Sequence, residues 1–334
     1  MPLIVGLTIA AGIVGMALLV TWVIVDEATG PNEPFWDSVD VSGDGTRIAF
    51  ASSAGIHHAG LLEVREGDPP RAELKWRSQV GPWTAVGLRP GEDAIYGIER
   101  SRMMRAAPGE LPKPFPMDDP DTPIDDAFDR GIEKFAWHPS GRYLAAVRLS
   151  PAAARPEVLV WDAEARRATI VARQAAADLG WSPDGTRLFL EFPNDPVSDN
   201  GGHWLILTWP ERTGRRVRYP DGLSPIRASF NDDATRIAGL FMGTRYNRVL
   251  GRFELDTGRF DRFGEAKQPF LRSAEQREPT FRTFATCRRG YVYWLENVLQ
   301  GVGRVELRRY DPDAGREWTL FRMGRRDAFE PSGP

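Results

Sequence analysis

The chain has 334 residues, of which 42% are hydrophobic and 27% are charged, as in a folded protein. Its 43 basic and 46 acidic residues give a formal net charge of −3, and a domain so nearly balanced is not expected to bind nucleic acid. The single cysteine, Cys287, excludes an intrachain disulfide, and we interpret it as an ordinary strand residue.

The first segment of the chain, Leu3–Val25, contains no charged residue. As a helix it would be about 34 Å long, enough to cross a hydrocarbon core of about 30 Å. A secretory signal peptide would need basic residues before the apolar run and a small-residue cleavage site after it, and neither is present. Residues 1–25 are therefore predicted to be a single transmembrane anchor helix, followed by a linker at 26–34.

The side of the membrane is predicted from the flanks of this helix. The first basic residue is Arg47, so the positive-inside rule gives little information. The short N-terminal flank favours a cytoplasmic N terminus at a bacterial inner membrane. The rest of the chain would then lie in the periplasm, and a cytoplasmic location stays open as the alternative.

Small residues recur at four-residue spacing along the predicted anchor. Gly6 and Ala10 form one such pair, and Gly12 belongs to another with Thr8. This spacing lets two helix backbones approach closely in lipid, so Gly6, Ala10 and Gly12 are predicted to pack against the helix of another membrane subunit. The alternative is that glycine and alanine are simply common in membrane helices.

A turn motif recurs through the remainder of the chain. Its clearest copy, Trp181–Gly185, reads Trp-Ser-Pro-Asp-Gly and is followed by Arg-Leu-Phe-Leu. The copies are separated by 44 to 56 residues, which is close to the repeat length of propeller blades. They occupy residues 41–50, 88–96, 137–146, 181–190, 230–239 and 284–293.

Each copy predicts a tight turn between two strands. Proline fixes φ near −65°, aspartate bonds nearby backbone, and Gly185 is expected at positive φ. A second pair of strands follows in most repeats, as at Val249–Glu254 with Arg259–Phe263, which makes four strands per repeat. One such unit cannot bury both faces alone, so the repeats must pack side by side around an axis.

The sequence therefore predicts an all-β fold, a six-bladed β-propeller over residues 35–323 with a tail at 324–334. The inner strands of the blades are expected near Trp36–Val41, Thr84–Leu88, Lys134–Trp137, Asp178–Trp181, Ile226–Phe230 and Thr280–Phe284. The turn at Ala234 has alanine where glycine is expected, and the sixth copy lacks proline and aspartate.

The repeated Trp-Ser-Pro-Asp-Gly with its following strand resembles the WD40-like repeat of the TolB-type propellers, over residues 35–323. This resemblance implies a fold but no site residue, because the motif residues build turns. The dipeptide Trp161-Asp162 is similar to that of WD40 repeats, but their Gly-His partner is missing.

Catalytic machinery is not recognisable in the sequence. A hydrolase domain would need many more residues after the last strand and a Gly-x-Ser-x-Gly elbow, so the chain is expected to be no enzyme and to carry no cofactor. A metal in the propeller channel is the alternative. The histidines are His57, His58, His138 and His203. His138 occupies the turn position of Ser182 and is expected to be structural.

An acidic insertion between the second and third blades is a weak candidate for Ca²⁺. Its carboxylates are Asp118, Asp119, Asp121, Asp125, Asp126 and Asp129. Their spacing differs from that of the EF-hand loop, and two prolines interrupt it, so a solvated loop is the competing interpretation.

Two further loops are predicted contact surfaces, because binding residues concentrate on long loops of rigid scaffolds. They are represented by Leu111 and Phe115 in a proline-rich stretch, and by Asp195 and Asn200 in the fourth blade. Together with the anchor, they predict an accessory or assembly subunit of a membrane complex. The alternatives are a periplasmic propeller that binds a ligand or peptide, and an enzyme with a site in the channel.

Overall fold

The computed structural model describes residues 36–52, 57–117, 131–150, 155–174, 176–193, 202–220, 222–230, 234–242, 248–262, 283–288, 291–298, 304–311 and 313–323. The chain divides into two compact units, residues 1–33 and 34–334, and all described residues belong to the second. The predicted anchor helix and linker lie outside the described residues. Within the described part, no helix is long and apolar enough to span a membrane.

The described residues form six antiparallel sheets of four strands each, and each sheet is built from four consecutive strands. Blades one and two contain β1 (Trp36–Val41), β2 (Arg47–Ser52), β3 (His58–Arg65), β4 (Arg71–Gln79), β5 (Trp83–Leu88), β6 (Ile95–Glu99), β7 (Arg102–Ala106) and β8 (Lys113–Pro114). Blades three and four contain β9 (Ile132–Trp137), β10 (Tyr143–Ser150), β11 (Arg155–Asp162), β12 (Arg167–Ala172), β13 (Asp178–Trp181), β14 (Arg187–Phe192), β15 (His203–Thr208) and β16 (Gly214–Arg218). Blades five and six contain β17 (Ser224–Phe230), β18 (Arg236–Met242), β19 (Arg248–Glu254), β20 (Phe260–Arg262), β21 (Thr283–Arg288), β22 (Tyr291–Val298), β23 (Arg304–Asp311) and β24 (Arg316–Met323).

The six sheets close into a ring. The first strand of each blade contacts the first strand of the next, from β1 through β5, β9, β13 and β17 to β21, and β21 contacts β1 again. The inner strands therefore surround a central channel. Because no sheet takes a strand from another blade, the ring is closed by side-chain packing between the sixth blade and the first.

The hydrophobic core lies between neighbouring blades. Both faces of a middle strand are buried, so that strands such as β10 read as almost continuous apolar runs. Leu144 and Ala146 pack towards blade two, whereas Ala145 and Val147 pack towards blade four. Similar clusters fill the spaces between blades one and two, four and five, and six and one.

The repeated turn has the predicted conformation. Gly185 has φ +74°, and the Asp184 carboxylate accepts hydrogen bonds from Ser182 Oγ at 2.5 Å and from the Thr186 amide at 3.0 Å. Burial would raise the pKa of Asp184, but these hydrogen bonds outweigh it and hold the pKa below its usual value. Ala234 has φ +56°, so the residue at the glycine position of the fifth copy adopts the left-handed conformation without being glycine.

The six-bladed prediction is confirmed for the described residues, and the inner strands of blades one and four have the predicted bounds. The prediction for the sixth inner strand is wrong at its end. The described strand, Thr283–Arg288, continues past Phe284, and Arg288 pairs with Tyr291 across a two-residue connection. Without the Pro-Asp turn, the strands meet in a shorter hairpin.

Candidate functional site

The end of the propeller at which the inner strands finish is called the motif face, because it carries the repeated turns. A chain of hydrogen bonds joins one turn to the next around this face. They run from Arg47 Nη1 to Glu92 O (2.6 Å), from Arg89 Nε to Gly141 O (2.8 Å), between His138 Nε2 and Gly185 O (3.0 Å), and from Arg187 Nη1 to Ala234 O (2.9 Å). These four hydrogen bonds join blades one to five at the rim of the channel.

His138 takes part in this chain as a structural residue, as predicted. Its Nδ1 accepts a hydrogen bond from the Ser140 amide at 3.0 Å, which leaves Nε2–H to donate to Gly185 O. The ring packs edge-on against Trp181 and Tyr143. Burial lowers the pKa of His138, so the neutral form is the one that holds the two turns together.

A cavity of about 420 Å³ lies in the channel at the motif face. Its described lining comes from blades one to five and includes Asp40, Asp44, Arg47, Trp181 and Ser229. A volume of this size fits a small molecule. The lining includes charged and hydroxyl side chains, whereas the clusters between the blades are apolar.

Part of this polar lining has a structural task. The inner edge of each first strand faces the channel and has no further strand to pair with, so its amides need other acceptors. In blade two, the amide of Leu88 donates to Asp40 Oδ2 at 2.9 Å and that of Val86 donates to Ser38 Oγ at 3.0 Å. Asp40 therefore completes the hydrogen bonding of the neighbouring blade.

The other histidines are not gathered at the channel. His58 is the first residue of β3, His57 directly precedes it, and His203 is the first residue of β15. Burial lowers the pKa of His58, and the positive charge of Arg77 adds to this shift. Within the described residues, no group of three His, Cys, Asp or Glu side chains could hold a metal ion.

The opposite end of the propeller is called the insertion face, because the longest connections join strands there. Strands β8 and β9 are joined by residues 115–131, β14 and β15 by 193–202, and β20 and β21 by 263–282. At the motif face, no connection between the described strands is longer than residues 107–112 or 89–94. All long insertions therefore belong to one face.

The structure separates the predicted contact residues. Leu111 lies in a motif-face connection and its side chain is 86% exposed. Phe115 follows β8 and is half-buried against Tyr96 and Trp161, with ring centroids 5.0 and 5.5 Å apart. Asp195 and Asn200 lie outside the described residues, in the connection of the insertion face between β14 and β15. The acidic candidates Asp118, Asp119, Asp121, Asp125 and Asp126, and the helix residues Gly6, Ala10 and Gly12, also lie outside them.

Solved structures with the same architecture are numerous. The chain is similar to TolB from Acinetobacter baumannii, with 13% identity, a TM-score of 0.55, and coverage of 83% of this chain and 63% of that one. A protein assigned as TolB from Agrobacterium tumefaciens is 15% identical, with a TM-score of 0.54 and coverage of 76% and 86%. An oligogalacturonate lyase in complex with manganese is 10% identical, with a TM-score of 0.54 and coverage of 87% and 78%.

The resemblance to TolB-type propellers is confirmed at the level of the fold. At these identities the likeness shows the fold alone, and the chain spans 63% of the length of the Acinetobacter TolB. No protein-family model matches the sequence, and no curated protein matches it. The same architecture occurs in proteins named TolB and in an oligogalacturonate lyase, so the function must be argued from this chain's own surfaces.

Sequence reasoning missed the residues that connect the turns. The arginine two positions after the turn glycine recurs as Arg47 and Arg187, and this repetition is visible in the sequence. The contact that this arginine makes with the next blade is not visible in the sequence, because it depends on how neighbouring sheets are rotated relative to each other. In blade three, Tyr143 stands at this position, and His138 makes the contact to the next turn.

Proposed function

We propose that this chain is a docking propeller, an accessory or assembly subunit that is tethered to a larger membrane protein complex by its N-terminal segment. The observation that carries this proposal is the unequal length of the connections at the two faces. Every long insertion joins strands at the insertion face, while the motif face has only tight turns and short loops. A rigid ring with insertions on one face is suited to presenting binding loops.

The rigidity of the ring supports the same proposal. The hydrogen-bonded turns of the motif face join blades one to five, and apolar clusters fill the spaces between neighbouring blades from the sixth through the first to the fifth. A scaffold that does not deform loses little conformational entropy on binding, which favours association with another protein.

The anchor completes the proposal, with the propeller in the periplasm of a bacterial inner membrane. Protease added to spheroplasts should then degrade the propeller before lysis. Protection until the cells are lysed would place it in the cytoplasm and leave the docking role to be tested there.

The role of the anchor is tested by replacing Gly6, Ala10 and Gly12 with leucine. The variant should still insert, because leucine is apolar, but it should leave the larger complex, because close helix packing is lost. The matched control replaces Ile4, Val5 and Val14 with leucine, which adds little bulk. Migration on a native gel after mild solubilisation is the readout. If the Gly6, Ala10 and Gly12 variant stays in the complex, association rests on the propeller alone.

A second candidate function, the binding of a small ligand or peptide, is favoured by the motif-face cavity of about 420 Å³. Gly43 lines this cavity, and a Cβ atom built on it meets nothing within 4 Å. Gly43→Trp should therefore add bulk at the cavity lining without straining the backbone. If the Gly43→Trp variant loses its biological activity while the complex stays intact, the ligand-binding role is favoured. If the variant keeps its activity, docking is favoured.

A further inference from the structure

The outer strand of blade four carries an unusual concentration of positive charge. Strand β16 reads Gly-Arg-Arg-Val-Arg, and Arg212 lies in the turn before it. Arg212, Arg215, Arg216 and Arg218 are all exposed. No acidic residue lies in this strand.

Most of this charge is not balanced by ion pairs within the part of the chain that the structure describes. Arg215 contacts Asp256 of the next blade at 2.7 Å, but Arg216 and Arg218 form no ion pair with any described residue. The outer strand of blade six, β24, differs, because its charged residues form ion pairs with neighbours of opposite charge. These pairs are Arg316 with Asp68, Arg308 with Glu317, and Arg322 with Glu306. In blade one, Glu73 pairs with Arg65 and Lys75 with Asp93.

The backbone of β16 offers a second binding element. The strand is the last of its sheet, so its outer edge has no strand neighbour among the described residues. The Thr208 amide donates to Thr213 O, and the alternation of an antiparallel ladder then points the amide and carbonyl of Arg216 and Arg218 away from β15. Because these two residues are two apart, their side chains also share one face of the sheet.

We propose that an extended acidic segment of a partner protein adds to β16 as a fifth strand of blade four. Its backbone would pair with the outward groups of Arg216 and Arg218, and acidic side chains at every second position would lie opposite the two guanidinium groups. Directly opposed residues of an antiparallel pair have Cβ atoms about 4.5–5.5 Å apart, within reach of an ion pair. The recognised pattern is acidic, any residue, acidic. This inference concerns a different surface from the insertion face and goes beyond the proposed function.

An acidic polypeptide fits this surface better than a nucleic acid does. A nucleic acid would use the guanidinium groups but not the outward amides and carbonyls, whereas a polypeptide uses both. The chain as a whole has a net charge of −3, which disfavours general attraction of a phosphate backbone. The arginines would otherwise serve only to keep this edge from pairing with other sheets.

The experiment measures fluorescence anisotropy of a labelled short peptide in which glutamate and valine alternate, titrated with the full chain in detergent. A peptide with glutamine in place of glutamate is the charge control. Changing both Arg216 and Arg218 to glutamine should weaken binding of the acidic peptide by about tenfold, because two cross-strand ion pairs are lost. The matched control changes Arg71 and Arg262 to glutamine, two exposed arginines on other outer strands, and should leave binding unchanged.

Arg216→Pro separates strand addition from simple charge attraction. Proline removes the outward amide of residue 216 but leaves the ladder to β15 intact, so it is tolerated at such an edge. It should weaken peptide binding about fivefold more than Arg216→Gln does, since a hydrogen bond is lost as well. Equal losses in the two variants, with unchanged melting temperatures, would overturn strand addition. Failure of the wild-type chain to bind the peptide, or tighter binding of an oligonucleotide with no effect of proline, would also overturn it.

Discussion

The contact between the third and fourth turns gives a prediction whose size follows from the structure. Gly185 has φ +74°, and a Cβ atom added there would lie 2.3 Å from His138 Nε2. The three atoms nearest to this Cβ all belong to His138. Alanine at this position would also occupy a left-handed conformation, which costs about 1–2 kcal/mol. The imidazole would also have to move, with loss of its hydrogen bond to Gly185 O, worth about 0.5–1.5 kcal/mol.

The expected loss for Gly185→Ala is therefore about 1.5–3.5 kcal/mol of unfolding free energy. Gly91→Ala is the matched control, since Gly91 has φ +82° and its added Cβ meets nothing within 4 Å. That control should lose only the backbone contribution, about 1–2 kcal/mol.

Denaturant unfolding of the purified full chain, followed by tryptophan fluorescence, measures both losses. In a background of His138→Ala, the additional effect of Gly185→Ala should fall to that of Gly91→Ala, because the colliding ring is gone. If Gly185→Ala is no more destabilising than Gly91→Ala in the wild-type background, the proposed clamp between the two turns does not exist.

Two further predictions concern the ion pairs that join the sixth blade to the first and the dependence of stability on pH. Arg309 is 2% exposed and forms two hydrogen bonds with Glu66 at 2.8 and 3.1 Å, so Arg309→Lys should lower the melting temperature clearly, since lysine cannot form both. The exposed pair of Arg316 with Asp68 joins the same two blades, and Arg316→Lys should change stability by less than about 1 kcal/mol. Equal losses of stability in Arg309→Lys and Arg316→Lys would contradict the view that the buried pair contributes more. Burial lowers the pKa of His138 below its ordinary value of 6.5, so the unfolded chain binds a proton that the folded chain does not, and stability is lost as pH falls below 6.5. His138→Gln should make this acid-induced loss shallower in unfolding experiments across that range, and an unchanged slope would refute it.

Much of the fold is predictable because the turn chemistry is local. The Ser-Pro-Asp-Gly sequence determines its own hydrogen bonds, and Gly185 takes the positive φ that this turn requires. Ala234 shows the limit of such reasoning. It adopts φ +56° without being glycine, because its place in the blade imposes the turn and the cost of about 1–2 kcal/mol is borne by the surrounding packing.

The candidate surfaces are less predictable because they depend on which strands meet at which face. Leu111 and Phe115 are four positions apart, yet one side chain is exposed and the other is half-buried among aromatic rings. The asymmetry of the two faces appears only when strand directions are known. The charge of β16 is visible in the sequence, but whether Arg216 and Arg218 meet acidic partners among the described residues depends on neighbouring strands.

The central claim, that this propeller is a subunit of a membrane complex, is tested most directly by the size of the particle that contains it. Native membranes would be solubilised in mild detergent, and the mass of the particle determined by sedimentation with correction for bound detergent. A subunit of such a complex should be found in a particle well above the 37.3 kDa of the chain, with a fixed ratio of this chain to other subunits. A monomer of 37.3 kDa, alone in detergent or in the soluble fraction, would contradict it.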